Sequence, residues 1–161
     1  MVKSVLLIGG APDTGKTTAL NAISKKLQKN GYAQIKSQNT GMQGVDKLYF
    51  LKGKDSNGKN VSIVINTAAD DVGSIKNFNN FLQQCSCDII ITAIRSFGKE
   101  RKGILDVIKN HTNDDYFNLE IPLARITQRT VNKNTAMKWY TDTVMTLAEH
   151  ILELAPFNFK I

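Results

Sequence analysis

Eight residues near the amino end, Gly10-Ala11-Pro12-Asp13-Thr14-Gly15-Lys16-Thr17, have the spacing G-x-x-x-x-G-K-[ST]. That spacing suits a chain of phosphates. Glycines let the backbone curl so that several N–H groups converge on anionic oxygens. Lys16 brings a point charge to β- and γ-phosphates, and the Thr17 hydroxyl is a ligand for Mg2+. The candidate phosphate contacts are Gly10, Asp13, Thr14, Gly15, Lys16, Thr17 and Thr18. At ordinary residue usage, about one chain of this length in two hundred matches the pattern by accident.

The elements around the motif fit it. The apolar run Val5-Leu6-Leu7-Ile8 enters it as a strand, and a helical pattern from Lys16 to Asn30 leaves it, with Leu20, Ile23 and Leu27 on one face. The helix N-terminus adds partial positive charge where the phosphates would lie. This loop resembles the Walker A motif of the P-loop NTPase superfamily, a resemblance that covers the first thirty or so residues. It implies a nucleoside triphosphate, ATP or GTP, as substrate with Mg2+ as cofactor. The base and the reaction stay open.

Hydrolysis or transfer normally adds a carboxylate behind Mg2+ and a group that orients the nucleophile. The usual carboxylate ends an apolar strand, but the strand Val61 to Ile65 runs into Asn66, an amide. Asp70 and Asp71 follow four and five residues later, so the candidate metal residues are Thr17, Asp70 and Asp71. Arg95-Ser96-Phe97-Gly98-Lys99-Glu100-Arg101-Lys102-Gly103 is a basic, glycine-punctuated segment leaving an apolar strand, and Arg125 and Arg129 come after the last strand. Cations so placed can stabilise charge on a phosphoryl group in transfer. Lys16, Asp70, Arg95 and Arg101 are thus the candidate catalytic residues. The polar run Ser37-Gln38-Asn39 is read first as a turn and second as a contact to another substrate.

Two subfamily resemblances follow from other segments. Asn66-Thr67-Ala68-Ala69-Asp70 is similar to the Asp-Thr-Ala-Gly segment of small GTPases, with Asn66 and Ala69 replacing its Asp and Gly. Asn132-Lys133-Asn134-Thr135 resembles their guanine-reading Asn-Lys-x-Asp but lacks the carboxylate that accepts two guanine N–H groups, so adenine is expected. Lys29-Asn30-Gly31-Tyr32, running into a second strand, is similar to the SIMIBI group, which includes partition ATPases and MobB-like cofactor-biosynthesis proteins. Their extra loop lysine is replaced by Ala11 and Pro12.

The 161 residues, 42% hydrophobic and 22% charged, suit one domain with a substantial core. No apolar run is long enough to span a membrane, and residues 1–9 read as a core strand instead of a cleaved leader. The expected compartment is the cytoplasm, in keeping with two cysteines, Cys85 and Cys87, read as small buried hydrophobes. A net charge of +7 and a pI near 9.4 put nucleic acid among conceivable partners. The lysines are scattered, so a solvated basic surface is the preferred reading, beside a small-molecule acceptor or a protein partner.

The remaining pattern is a strand over 32–36, a hairpin of 47–52 and 60–66 around Asn57-Gly58, a helix through Ile75, Phe78 and Leu82, a strand over 88–94, a short helix ending near Asn110, a strand over 116–126 and a final helix over 134–154. It predicts a single-domain α/β fold: three layers, doubly wound, with a mainly parallel sheet and an inserted antiparallel hairpin at one side. Three functions suit it: slow triphosphate hydrolysis by a P-loop NTPase, γ-phosphate transfer by a small-molecule or nucleotide kinase, or nucleotide binding without turnover.

Overall fold

The computed structural model of the chain describes residues 1–11, 14–40, 45–123 and 133–161. In order, its elements are β1 (Val2–Gly10), α1 (Lys16–Lys29), β2 (Ala33–Asn39), β3 (Lys47–Lys54), β4 (Asn60–Asn66), α2 (Val72–Gln84), β5 (Ile89–Arg95), α3 (Lys99–His111), β6 (Thr112–Pro122) and α4 (Lys133–Glu153). Among the described residues the strands form one sheet in the order β2-β3-β4-β5-β1-β6.

β1 lies between β5 and β6 and is parallel to both, and β4 is parallel to β5. Such a central strand is covered on both faces, which is why Val5-Leu6-Leu7-Ile8 and Ile89-Ile90-Ile91 are continuous apolar runs buried throughout. β3 is antiparallel to both β2 and β4. The hairpin therefore contributes one reversed strand, β3, while β4 belongs to the parallel set. Its turn is held by Asp55, whose Oδ1 accepts from the N–H groups of Asn57 and Lys59 at 2.9 and 2.8 Å.

α1 neighbours α4 and covers parts of β1, β3, β4 and β5, whereas α2 neighbours α3, which covers β5 and β6. The apolar face of α1 is buried as its spacing requires, with Leu20, Ile23 and Leu27 at most 1% exposed. The result is a mixed α/β fold with a mostly parallel sheet, compatible with a P-loop-like architecture.

β6 begins four residues earlier than the sequence pattern predicts. α3 passes into it at Thr112 with no intervening loop, so the polar run Thr112 to Asp115 is strand and not turn. Pro122, opposite Gly9, is its last residue on an outer strand, where a missing N–H is tolerated. The predicted extension to residue 126 lies outside the described residues. The tail after α4 returns to the hairpin turn, with Phe157 also edge-on to Phe117 of β6. Phe157 and Phe159 are buried, Ser56 N donates to Asn158 O at 2.7 Å, and Phe159 meets Tyr32 edge-on at 5.6 Å. Burial there pushes the Tyr32 phenol up to about 12. Cys85 and Cys87 are buried and unbridged at the α2–β5 junction, and burial pushes the Cys87 thiol up to about 12.

Candidate phosphate-binding site

The loop leaves β1 at Gly10, opposite Arg95 of β5, and re-enters helix at Lys16. Both glycines of the motif have steric reasons. Gly15 has φ 85°, a left-handed conformation that turns the chain into α1. At Gly10 a Cβ would stand 2.5 Å from Thr14 Oγ1, which is placed there by donating to Ala11 O at 2.9 Å. Lys16 is 6% exposed, and its Nζ donates to Gly10 O at 3.0 Å and to Ala11 O at 2.7 Å. The ammonium thus lies against the carbonyl groups at the start of the loop. Among the described residues no side chain caps α1, and no acidic residue occupies its first turn, so its N-terminal dipole is not offset from within the helix. Thr18 is exposed, and Asp13 lies outside the described residues.

Thr17 faces the carboxyl end of β4. Its Oγ1 stands 3.1 Å from Thr67 O and 3.2 Å from Asp46 Oδ1, with its proton available to either. Asp46 lacks any local motif, and the sequence pattern alone passes over it. The available signal is register: Leu48 opposes Asn66, so two residues back along β3 the chain rises past the end of β4.

Asn66 is fully buried, and its amide is turned inward. Its Nδ2 donates to Thr92 Oγ1 at 3.0 Å and its Oδ1 accepts from Ala68 N at 3.2 Å, bracing the end of β4 against the middle of β5. Solvent does not reach this amide, so it is not placed to orient a metal-bound water.

The two candidate carboxylates that follow have different partners. Asp70, half exposed, is paired with Arg95 Nε at 2.8 Å. Asp71 is the N-cap of α2, accepting from Ser74 N at 2.9 Å and Ser74 Oγ at 2.6 Å, and those bonds hold its carboxyl below the usual range. A carboxylate so bonded is committed to the helix terminus.

The basic segment also divides. Arg95 ends β5 beside the first loop glycine, with Phe97 80% exposed just beyond it. Arg101 instead makes a two-pronged pair with Glu120 at 2.9 and 2.7 Å and donates to Arg95 O at 3.1 Å. Glu120 Oε1 would be 2.4 Å from a Cβ at Gly9, so the pair lies directly over β1. Arg101 therefore ties α3, β5 and β6 together behind the loop, and Glu120 raises its pKa. Arg125, Arg129 and Asn132 lie outside the described residues, and Lys133 begins α4.

A cavity of about 740 Å3 lies at the opposite end of the strands, bordered by Lys52, Lys54, Lys160 and Asp88. Its acid is already satisfied by Ser62 and Lys3, and it shares no lining residue with the loop. Among the described residues no group of three or more His, Cys, Asp or Glu could hold a metal, and no helix is long and apolar enough to cross a membrane.

No protein-family model and no curated protein matches the chain. Among solved structures, APE1195 is similar with a TM-score of 0.40 and 13% identity, over 96% of this chain and 78% of that one. A protein described as nucleolar GTP-binding protein 1 from Plasmodium falciparum is similar with a TM-score of 0.28 and 11% identity, over 94% of this chain and 91% of that one. Likeness at this level carries no argument about activity.

Proposed function

We propose that this chain binds a nucleoside triphosphate with Mg2+ along the Gly10–Thr17 loop, prefers ATP, and hydrolyses it slowly in a coupled process. The observation that carries the reading is the position of Lys16 against Gly10 O and Ala11 O. An ammonium sheltered from water needs acceptors, and anionic phosphate oxygens are stronger acceptors than peptide carbonyls. A triphosphate entering the loop would take over that charge, while the N-terminus of α1 would receive phosphate oxygens.

Bound Mg2+ would neutralise charge shared by the β- and γ-oxygens. Thr17 is the residue that would hold it. Arg95 would stabilise charge on the γ-phosphoryl group, since it stands opposite Gly10 on the neighbouring strand. The pairing of α1 with α4 and of α2 with α3 supports helices on both faces of the sheet, the three-layer form of this fold. A cytoplasmic setting, where triphosphates are made, suits the reading. The adenine preference rests on the missing guanine carboxylate at Thr135.

A second reading, γ-phosphate transfer to a small acceptor, draws on the exposed Phe97 beside Arg95 at the edge where an acceptor would approach. Titration calorimetry with ATP, followed by ADP release with and without candidate acceptors, separates the possibilities. Acceptor-independent ADP release supports hydrolysis, and acceptor-dependent release supports the kinase. Binding without turnover supports a non-catalytic module, and no binding of any triphosphate at millimolar concentration removes all three.

A further inference from the structure

We propose that Asp46 is the carboxylate that supports a divalent cation at Thr17, in place of the acid that Asn66 does not supply. The inference rests on the nucleotide-binding reading of the Gly10–Thr17 loop and deepens it by naming the metal residue.

The spacing fits. Thr17 Oγ1 and Asp46 Oδ1 are 3.2 Å apart. On an octahedral Mg2+ with bonds of about 2.0–2.1 Å, neighbouring oxygens stand about 2.9 Å apart. The two atoms already have nearly the separation of adjacent ligands. Both are hard oxygen donors, the type this cation selects. The Thr17 hydroxyl has a single proton, and Thr67 O at 3.1 Å can accept it, which leaves a hydroxyl lone pair and the Asp46 carboxylate for the cation.

Asp46 is also held in place, from three elements. Lys47 N donates to Thr67 Oγ1 at 2.8 Å and Thr67 N donates to Lys47 O at 3.0 Å, fastening the start of β3 to the end of β4. Asn21, one turn beyond Thr17 on α1, donates to Val45 O at 3.2 Å and accepts from the Tyr49 hydroxyl at 2.7 Å. Thr40 N, after β2, donates to Asp46 O at 2.9 Å. This bracing is what a metal residue requires if it is to keep its geometry while the ion comes and goes.

The rival acids are engaged elsewhere, Asp70 with Arg95 and Asp71 with the first turn of α2. One hydroxyl and one carboxylate make a weak site alone. The remaining positions fall to phosphate oxygens and water, so cation and nucleotide bind together.

The test is calorimetric titration of ATP into wild type, Asp46→Asn and Asp70→Asn, each with Mg2+ and with EDTA. Asparagine keeps an oxygen that can accept from Thr17 while removing the charge. Asp46→Asn is expected to lose about tenfold or more of the tightening that Mg2+ gives wild type. Its metal-free affinity for ATP is expected to stay level or rise, because a negative charge near the phosphates is gone. A merely structural role would weaken both. Asp70→Asn should keep the Mg2+ effect. Wild-type tightening retained in Asp46→Asn, or its loss in Asp70→Asn alone, overturns the assignment while leaving nucleotide binding intact. Absence of ATP binding to wild type in both buffers overturns the nucleotide reading itself. A second readout needs no variant: with ADP, Fe2+ and ascorbate, wild-type backbone scission is expected at residues 45–47 and near Thr67, and scission confined to residues 70–71 contradicts the proposal.

Discussion

The amide of Asn66 donates to Thr92 Oγ1 at 3.0 Å, and both residues are fully buried. The bond ties the carboxyl end of β4 to the middle of β5 at the point where a P-loop protein would ordinarily place an acid. Converting it to an acid has a structural cost. An ionised Asn66→Asp would lose the N–H donor and bury a charge, so we expect a loss of at least about 1–3 kcal/mol at neutral pH, read as a lower Tm. Burial would raise the new carboxyl's folded pKa above its unfolded value near 4. The folded state then binds the extra proton, so the penalty is small in acid and grows as pH rises through the folded pKa. A variant with unchanged Tm at pH 5 and pH 8 would contradict this role.

Asp71 should behave as a helix cap. Asp71→Ala is expected to cost about 1 kcal/mol, with little change in Mg2+-dependent nucleotide binding. Because hydrogen bonds from Ser74 depress the folded carboxyl below its unfolded value, the contribution is full above the unfolded pKa and is lost as pH falls through the folded one. Denaturant titrations of wild type and variant should therefore differ at pH 7 and converge toward pH 2. A difference that persists undiminished in acid would rule the cap out as its source.

Arg95 and Arg101 should separate. Arg101→Ala strands Glu120 above Gly9 and is expected to cost about 1–3 kcal/mol of stability. Arg95→Ala breaks a pair whose acid is half exposed, so its stability loss should stay under about 1 kcal/mol. Turnover is expected to respond in the opposite order, with kcat falling more in Arg95→Ala while nucleotide affinity changes little. Equal turnover in Arg95→Ala and wild type would leave this arginine as surface charge.

Much of the architecture is legible in local pattern. The turn from β1 into α1, α1 itself, the hairpin and the apolar β5 all follow from spacing and residue type, since each is fixed by a periodicity or a turn signal. What local pattern does not contain is the pairing of distant segments. Asp46 carries no motif, and it meets Thr17 only because β3 runs backwards beside β4. Arg101 looks like part of a basic loop until Glu120, nineteen residues later, is brought over β1 by the parallel pairing of β6. The start of β6 was hidden for a different reason. Asn113-Asp114-Asp115 has turn composition and falls in an irregularity of β6, between the pairing of Thr112 with Val2 and that of Phe117 with Ser4.

Thermal melting tests most directly whether the Gly10–Thr17 loop holds a triphosphate through Lys16. Mg-ATP at about a hundred times its dissociation constant should stabilise wild type by about 2.7 kcal/mol, a rise in Tm of roughly 5–10 °C for a chain of this size. Lys16→Ala, compared with its own ligand-free Tm, should lose most of that rise, and GTP should give no greater shift than ATP. A wild-type Tm unmoved by any millimolar triphosphate, or an undiminished rise in Lys16→Ala, would contradict the account.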